Sequence, residues 1–359
     1  MSEMIFSISE IIVGVLLLFI GGEFFIQGSI ALSLILGIPQ IVIGLTVVSL
    51  GTSSPELLVS LNSVFKNSDS LAASNVIGSN IFNILVVLGI SSIIKPLKVK
   101  SRIVRRDVPI LMAISCSVWA MSSTGLLTWQ AGIFLLFCLI VNTLWEIITI
   151  NEKDEDFKTA EPEIDDKSQY ERKINILARL LLGIFLLSFG ANVLVNASKS
   201  LASLMGVSET IIGLTIVATG TSLPELVTSF IAALKGRTDL AIGNVIGSNL
   251  LNQLLILGSC SIFSGLDGLS ISQELINTDL PIMVLTTFAC LPIFWTKGKI
   301  TRIEGFVLLN IYTFYILDKI FTSTNFYFLE EYRISIFIYS IVFAILLLIR
   351  NKLHPLKYD

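Results

Sequence analysis

The sequence predicts an all-α polytopic membrane protein: two inverted five-helix repeats plus one extra C-terminal helix. Three observations predict it. Of the 359 residues, 53% are hydrophobic and only 14% charged, whereas a soluble domain carries about a quarter charged residues. Charge falls in short intervals between apolar runs, as the hydrocarbon core demands of helices that cross it. Finally, GLTVVSLGTSSPE at Gly44–Glu56 returns as GLTIVATGTSLPE at Gly213–Glu225, 169 residues later.

Taken in order, the apolar runs place spans at 8–28, 38–65, 71–94, 108–122, 126–150, 174–199, 207–234, 240–263, 279–296, 303–321 and 334–350. They group as a first five-helix repeat (1–150), a hydrophilic cytoplasmic linker (151–173), a second, inverted five-helix repeat (174–321), and an additional C-terminal helix with its tail (322–359). The linker, NEKDEDFKTAEPEIDDKSQYERK, reads as a solvated connection and lacks the ligand spacing of an EF-hand calcium loop. No basic stretch precedes Ile11–Ile20, so the first span is expected to stay rather than be cleaved as a signal peptide. Three of the four cysteines (Cys116, Cys138, Cys290) sit inside apolar runs and suggest neither a disulfide framework nor a metal cluster.

The duplication is extensive. Without gaps, 38–90 and 207–259 agree at 25 of 53 positions, and NVIGSN recurs at Asn75–Asn80 and Asn244–Asn249. Weaker echoes pair GGEFFIQG at Gly21–Gly28 with GANVLVNA at Gly190–Ala197, and Asp107-Val108-Pro109 with Asp279-Leu280-Pro281. Five spans is an odd number, so the second copy sits upside down relative to the first, as in many secondary transporters. With the N-terminus outside, only Lys66, Lys199, Lys319 and Arg333 of the 24 basic residues miss the cytoplasmic side. That is a strong positive-inside bias, and one missed or invented helix would scramble it. The same parity returns the C-terminus of this multi-pass protein to the cytoplasm.

Glu56 and Glu225 lie deep in sequence otherwise apolar enough to span. A bare carboxylate at mid-bilayer costs at least ~2.5 kcal/mol on insertion scales, so it needs a cation, a proton or a polar partner. Pro55 and Pro224 cannot complete the helical hydrogen bond, and Gly51 and Gly220 allow close approach. Together they predict a broken helix whose freed carbonyls near Ser49–Thr52 and Ala218–Thr221 face a cavity. In NVIGSNIFN (75–83) and NVIGSNLLN (244–252), Ser79 with Asn83 and Ser248 with Asn252 are four apart and share a helix face. Gly78 and Gly247 are read as permitting the close crossing that brings each polar face to the opposing glutamate. Asn75 and Asn244 either join the site or glue helices together. An isolated hydroxyl or amide in a membrane helix is usually packing glue, but here the whole set recurs at one offset.

The ligand set is carboxylate, hydroxyl, amide and carbonyl oxygen. The single histidine, His354, lies in the C-terminal tail. Such coordination suits hard cations, Ca²⁺ and Na⁺ above all, with Mg²⁺ disfavoured by its reluctance to dehydrate. Ions that compete for shared oxygens exclude one another, which is the physical basis of exchange. No permanently bound cofactor, nucleic acid, enzymatic chemistry or obligatory protein partner is implied; the partners are the two ions as substrates and the lipid bilayer.

The two copies resemble the alpha-repeats of the sodium/calcium exchanger family within the calcium:cation antiporter superfamily, nearest its prokaryotic calcium/sodium antiporter branch. The resemblance covers residues 8–321 and rests on GTSSPE with NVIGSNIFN and GTSLPE with NVIGSNLLN. It implies the sodium/calcium exchanger fold, with ion sites at mid-membrane between the second, third, seventh and eighth helices. By motif position it implies ligands at Glu56 and Glu225; at Thr52, Ser53, Ser79, Thr221, Ser222 and Ser248; at the amides of Asn83 and Asn252; and at the backbone carbonyls of Ser49 and Ala218. It also implies that the first and sixth helices, here Ile11–Leu36 and Leu177–Leu204, slide across this core to alternate access.

Three departures matter. Some prokaryotic members carry an aspartate where this chain has Asn252, which leaves the site two formal negative charges. Gln253 stands where an aliphatic residue is usual, either as a helix contact or as a tuner of the pathway. The run 334–350 is additional to the ten-helix core. Glu23, opposite Asn192 in the repeat comparison, serves either cation access or plain pairing. The expected activity is Na⁺-driven Ca²⁺ antiport. H⁺/Ca²⁺ exchange is the alternative, since protons can discharge the same carboxylates, and K⁺ participation is left open. A channel or sensor is disfavoured, because one inverted pair encloses its own site rather than a continuous pore.

Overall fold

The computed structural model describes residues 2–149, 166–207, 212, 215–216, 218–295, 298–324, 329–330 and 332–334. Residues 151–165 of the hydrophilic segment, most of 208–217, and the expected span 334–350 beyond Ile334 lie outside the described residues. The chain opens with α1 (Ser2–Leu36), then α2 (Gln40–Thr52) and α3 (Ser54–Phe65), then α4 (Asp69–Ile94). Strand β1 (Leu97–Lys98), α5 (Val108–Ser122), β2 (Leu126–Leu127) and α6 (Trp129–Ile148) follow. The order then recurs: α7 (Asp166–Leu204), a short turn Ala218–Gly220, α8 (Leu223–Leu234), α9 (Thr238–Phe263), β3 (Leu269–Ser270), α10 (Leu275–Trp295), β4 (Lys299–Ile300) and α11 (Arg302–Ser323).

Among the described residues, seven helices are long and apolar enough to cross a membrane, or eight if α2 and α3, bent by 44°, count as one span. The all-α polytopic architecture therefore stands. Some spans differ in extent from those expected. α7 begins at Asp166, inside the segment read as linker. α5, Val108–Ser122, by contrast coincides with the expected 108–122, and the turn before it, Ile103–Asp107, is π-helical.

Burial sorts the helices. The apolar windows of α4 and α9 are 78% and 89% buried, against 22% in α1 and 17% in α6 and α11. The two NVIGSN helices are thus the centre, and the others present apolar side chains outward, as lipid-facing helices do. Small residues let the helices approach. Gly14 and Gly21 on α1, and Gly183 and Gly190 on α7, sit where an added Cβ would lie 2.8–2.9 Å from a backbone nitrogen of the other helix. These are two pairs at the 169-residue offset, and they join α1 and α7 into one unit, the small-residue contact typical of membrane helices.

The matching glycines of the central helices behave differently. A Cβ at Gly247 would lie 2.6 Å from Leu45 O and 2.7 Å from Ser49 Oγ, whereas one at Gly78 would meet nothing within 4 Å. The expected close crossing is built at Gly247 and not at Gly78, although the motif is identical.

Two short antiparallel pairs link connections between helices of the two repeats: Leu97 pairs with Ile300, and Leu126 with Ser270. Each joins a strand of the first repeat to one of the second. The two Asp-X-Pro echoes anchor neighbouring helices. Asp279 accepts from Lys319 Nζ at 2.8 Å and Tyr315 Oη at 2.9 Å. Asp107 lies beside Arg102 and Arg106, which both pair with Glu146 on α6.

Candidate functional site

Proline dictates the two breaks at the centre. Pro55 has no N–H for the Gly51 carbonyl, and Pro224 none for that of Gly220. The residue that opens each new helix has one backbone geometry: Ser53 has φ −81° and ψ 3°, and Ser222 has φ −88° and ψ 7°. Glu56 and Glu225 then fall in the first turns of α3 and α8. There the unpaired N–H groups and the helix dipole favour negative charge. Both side chains are fully buried.

Each carboxylate is held from the opposite repeat. Ser222 Oγ donates to Glu56 Oε1 at 3.1 Å, and Ser53 Oγ donates to Glu225 Oε1 at 3.0 Å. Ser222 also bonds Ser79 Oγ at 2.9 Å, while Thr52 Oγ1 lies 3.5 Å from Ser248 Oγ. Glu56 Oε2 and Glu225 Oε2, by contrast, make no hydrogen bond, although both are buried. A buried carboxylate oxygen without a partner carries a full desolvation cost. An ion with displaced water is what such an oxygen can accept.

The remaining expected residues are placed as follows. Thr221 Oγ1 donates to Asn75 Oδ1 at 3.1 Å, and Thr52 Oγ1 to Asn244 Oδ1 at 3.0 Å. Asn75 and Asn244 turn their amide nitrogens to Ser60 (3.0 Å) and Ser229 (2.9 Å). In this structure their polar atoms join helices. The Ser49 carbonyl, expected as freed, accepts from Ser53 N at 2.9 Å and Thr52 Oγ1 at 3.3 Å. Proline instead removes the helical donor of Gly51 O. Ala218 opens the turn before the second break. Asn83 and Asn252 are both fully buried, each starting a π-helical turn, Asn83–Val87 and Asn252–Leu257. Such turns recur at functional positions in helices. Asn83 Oδ1 and both amide atoms of Asn252 make no hydrogen bond.

Beyond the expected set, an amide ladder links α4 to α9. Asn83 Nδ2 donates to Asn249 Oδ1 at 3.1 Å, Asn249 Nδ2 to Asn80 O at 3.2 Å, and Gln253 Nε2 to Asn80 Oδ1 at 3.3 Å. The signal available in sequence was the second Asn of each NVIGSN, one position past the serine. Glu23 pairs with Lys235 Nζ at 2.6 Å and with Gln27 Nε2 at 2.5 Å. Among the described residues, no three His, Cys, Asp or Glu side chains group to hold a metal. The charge at this site is therefore that of two glutamates among neutral oxygens.

Comparison with known proteins identifies the family. The sodium/calcium exchanger protein family matches residues 6–148 and 175–321. The inner membrane protein YrbG of Escherichia coli (strain K12) is 32% identical over 300 residues, covering 82% of this chain and 90% of YrbG. The sodium/calcium exchanger MaX1 of Methanosarcina acetivorans is 30% identical over 340 residues, covering 86% and 96%. A solved structure of the sodium-calcium exchanger NCX_Mj, soaked with 10 mM Na⁺ and 10 mM Sr²⁺, aligns with a TM-score of 0.74 at 29% identity, over 87% of this chain and 98% of that one. The chain belongs to the sodium/calcium exchanger family, in the prokaryotic branch of the calcium:cation antiporters, and is a secondary active cation antiporter rather than an enzyme.

Proposed function

We propose that the protein exchanges Ca²⁺ for Na⁺ across the cell membrane by alternating access. The observation that carries this reading is the pair Glu56 and Glu225: fully buried, each tied by one oxygen to a serine of the other repeat, each with its second oxygen unpartnered. Two carboxylates balance one Ca²⁺, and the surrounding hydroxyl and amide oxygens complete the all-oxygen shell that hard cations take. The proposed ligands are Glu56, Glu225, Thr52, Ser53, Ser79, Thr221, Ser222, Ser248, Asn83 and Asn252, with the backbone carbonyls of Ser49 and Ala218. Na⁺ draws on the same oxygens, so loading one ion requires release of the other.

In this reading 1–150 and 174–321 are two five-helix repeats in opposite orientation, joined by the linker 151–173 and followed by a further helix and tail at 322–359. The N-terminus lies outside and the C-terminus in the cytoplasm. Inversion is supported by the odd span count, the distribution of basic residues and the reciprocal bonding of the two repeats. Alternating access is assigned to the glycine-joined pair α1 and α7. The ring of Phe25 packs against Gly51 and the Val195 side chain against Gly220, so displacement of the pair would uncover both breaks. The exchange named for MaX1 and NCX_Mj is of the same kind.

The test is Ca²⁺ flux in proteoliposomes with Na⁺, H⁺ and K⁺ gradients imposed one at a time. Saturable uptake that follows the Na⁺ gradient is expected. Uptake that persists without Na⁺ and follows an imposed pH gradient assigns the counter-ion to protons instead, and a requirement for K⁺ makes the exchange K⁺-dependent.

A further inference from the structure

Three kinds of hydrogen bond at the centre come in pairs related by the 169-residue offset. Ser53 to Glu225 is matched by Ser222 to Glu56, Thr52 to Asn244 by Thr221 to Asn75, and Asn75 to Ser60 by Asn244 to Ser229. The amide ladder is not paired in this way. Asn83 Nδ2 donates to Asn249 Oδ1, so its counterpart Asn252 Nδ2 would donate to Asn80 Oδ1. That oxygen accepts instead from Gln253 Nε2 at 3.3 Å. Asn249 Nδ2 donates to Asn80 O, so Asn80 Nδ2 would donate to Asn249 O. Gln253 Nε2 reaches that carbonyl too, at 3.4 Å, and Asn80 turns back to Val76 O at 2.7 Å. The residue in Gln253's place in the first repeat is Ile84, which has no atom that could compete.

The two equivalent amides are therefore unlike. Asn83 is tethered through its nitrogen and presents a fixed, unpartnered oxygen. Asn252, fully buried, has neither amide atom bonded and lies one turn from Ser248 on the same face. It can turn either its oxygen or its nitrogen to the site.

We infer that Gln253 is a positioning residue that sets ion selectivity: by occupying the Asn80 oxygen it leaves Asn252 untied. The inference rests on the exchange reading above. A tethered amide is a preorganised ligand, while an untethered one must give up rotamer freedom when its oxygen is fixed on a cation. The penalty weighs more on Na⁺ than on Ca²⁺. Ca²⁺ is held chiefly by the two carboxylates, whereas the singly charged ion leans more on neutral oxygens. Gln253 thus raises the Na⁺ concentration needed for exchange relative to Ca²⁺.

The test is Gln253→Leu, with Gln253→Met as the second variant should the branched side chain not fit. Either change also removes the buried, unpartnered Gln253 Oε1, so folding should be preserved. A structure of the variant should place Asn252 Nδ2 within hydrogen-bond distance of Asn80 Oδ1. In proteoliposomes the half-saturating Na⁺ concentration should fall roughly 2- to 10-fold, with a smaller change for Ca²⁺. Adding Asn80→Leu should cancel the fall, because the acceptor is gone. An Asn252 that stays untied in the variant overturns the inference, as does a tied Asn252 with an unchanged Na⁺ to Ca²⁺ ratio. Absence of Na⁺-coupled Ca²⁺ flux in the unsubstituted protein sinks the exchange reading instead, and the variant structure still decides the tether.

Discussion

Glu56 and Ser222, 166 positions apart, meet through Ser222 Oγ and Glu56 Oε1 at 3.1 Å. Ser53 and Glu225 make the same bond in reverse. Each repeat therefore supplies one carboxylate and the hydroxyl that orients the other repeat's carboxylate. In the proposed site neither repeat is complete alone, so assembly of the two is a condition of binding.

Glu56→Gln and Glu225→Gln each keep the shape and the oxygen that accepts from serine, and remove only the charge. Charge-assisted contacts contribute about 1.5–3 kcal/mol, so Ca²⁺ exchange should fall at least roughly 10- to 150-fold. The melting temperature should hardly move, because a buried unpartnered carboxylate oxygen is itself a cost. Initial Ca²⁺ flux in proteoliposomes checks this, alongside thermal unfolding in detergent. Near-normal flux in both variants would remove the glutamates from the site.

Ser79→Ala and Ser248→Ala should act more gently. Each deletes one neutral oxygen among several, a loss of about 0.5–1.5 kcal/mol, or roughly 2- to 12-fold in half-saturating Ca²⁺. Ser79 bonds Ser222 at 2.9 Å, while Ser248 lies 3.5 Å from Thr52, so the Ser79 variant should show the larger effect. Concentration dependence of flux ranks the two; the reverse order would contradict the geometry.

The duplicated glycines should respond oppositely to alanine. At Gly247 the new methyl would meet Leu45 O and Ser49 Oγ on α2, at 2.6 and 2.7 Å, and backbone cannot step aside. Gly247→Ala should lower the melting temperature by several degrees, the consequence of overpacking by about 1–3 kcal/mol, and depress transport. Gly78→Ala meets open space and adds helix propensity, so its melting temperature should hold or rise. Thermal unfolding of both proteins decides; equal destabilisation would refute the asymmetry.

Those glycines also show where sequence reasoning stops. The span order, the two breaks and the two glutamates were legible because prolines, carboxylates and glycines recur at one offset in a hydrophobic chain. Gly78 and Gly247 carry the same letters in the same motif, and only the packing partner separates them. Asn80 and Asn249 were visible as part of a motif, yet helical spacing does not say that their faces meet across the centre. Gln253 stood out as a departure, but its competition for the Asn80 oxygen depends on a side-chain reach that sequence does not encode. Proline chemistry announces freed carbonyls near Ser49–Thr52, and the one it frees, that of Gly51, lies in that range, while the Ser49 carbonyl keeps its helical donor from Ser53.

Glu23 on α1 and Lys235 at the end of α8 make one ion pair at 2.6 Å, with side chains 43% and 32% exposed. A pair this open contributes about 0–1 kcal/mol, too little to hold the fold but enough to bias a helix that moves. If α1 shifts during transport, the pair breaks in one state and should affect rate rather than affinity. Glu23→Gln is therefore expected to change the maximal rate up to about fivefold, with half-saturating Ca²⁺ within about twofold. The charge swap Glu23→Lys with Lys235→Glu should restore the rate. If Glu23 instead gathered cations from water, Glu23→Gln would raise half-saturating Ca²⁺ most strongly at low ionic strength. The swap would then fail to rescue, since a lysine in that position repels the ion. Rate and affinity measured for the single and swapped proteins, at two salt concentrations, separate a helix tether from a cation collector.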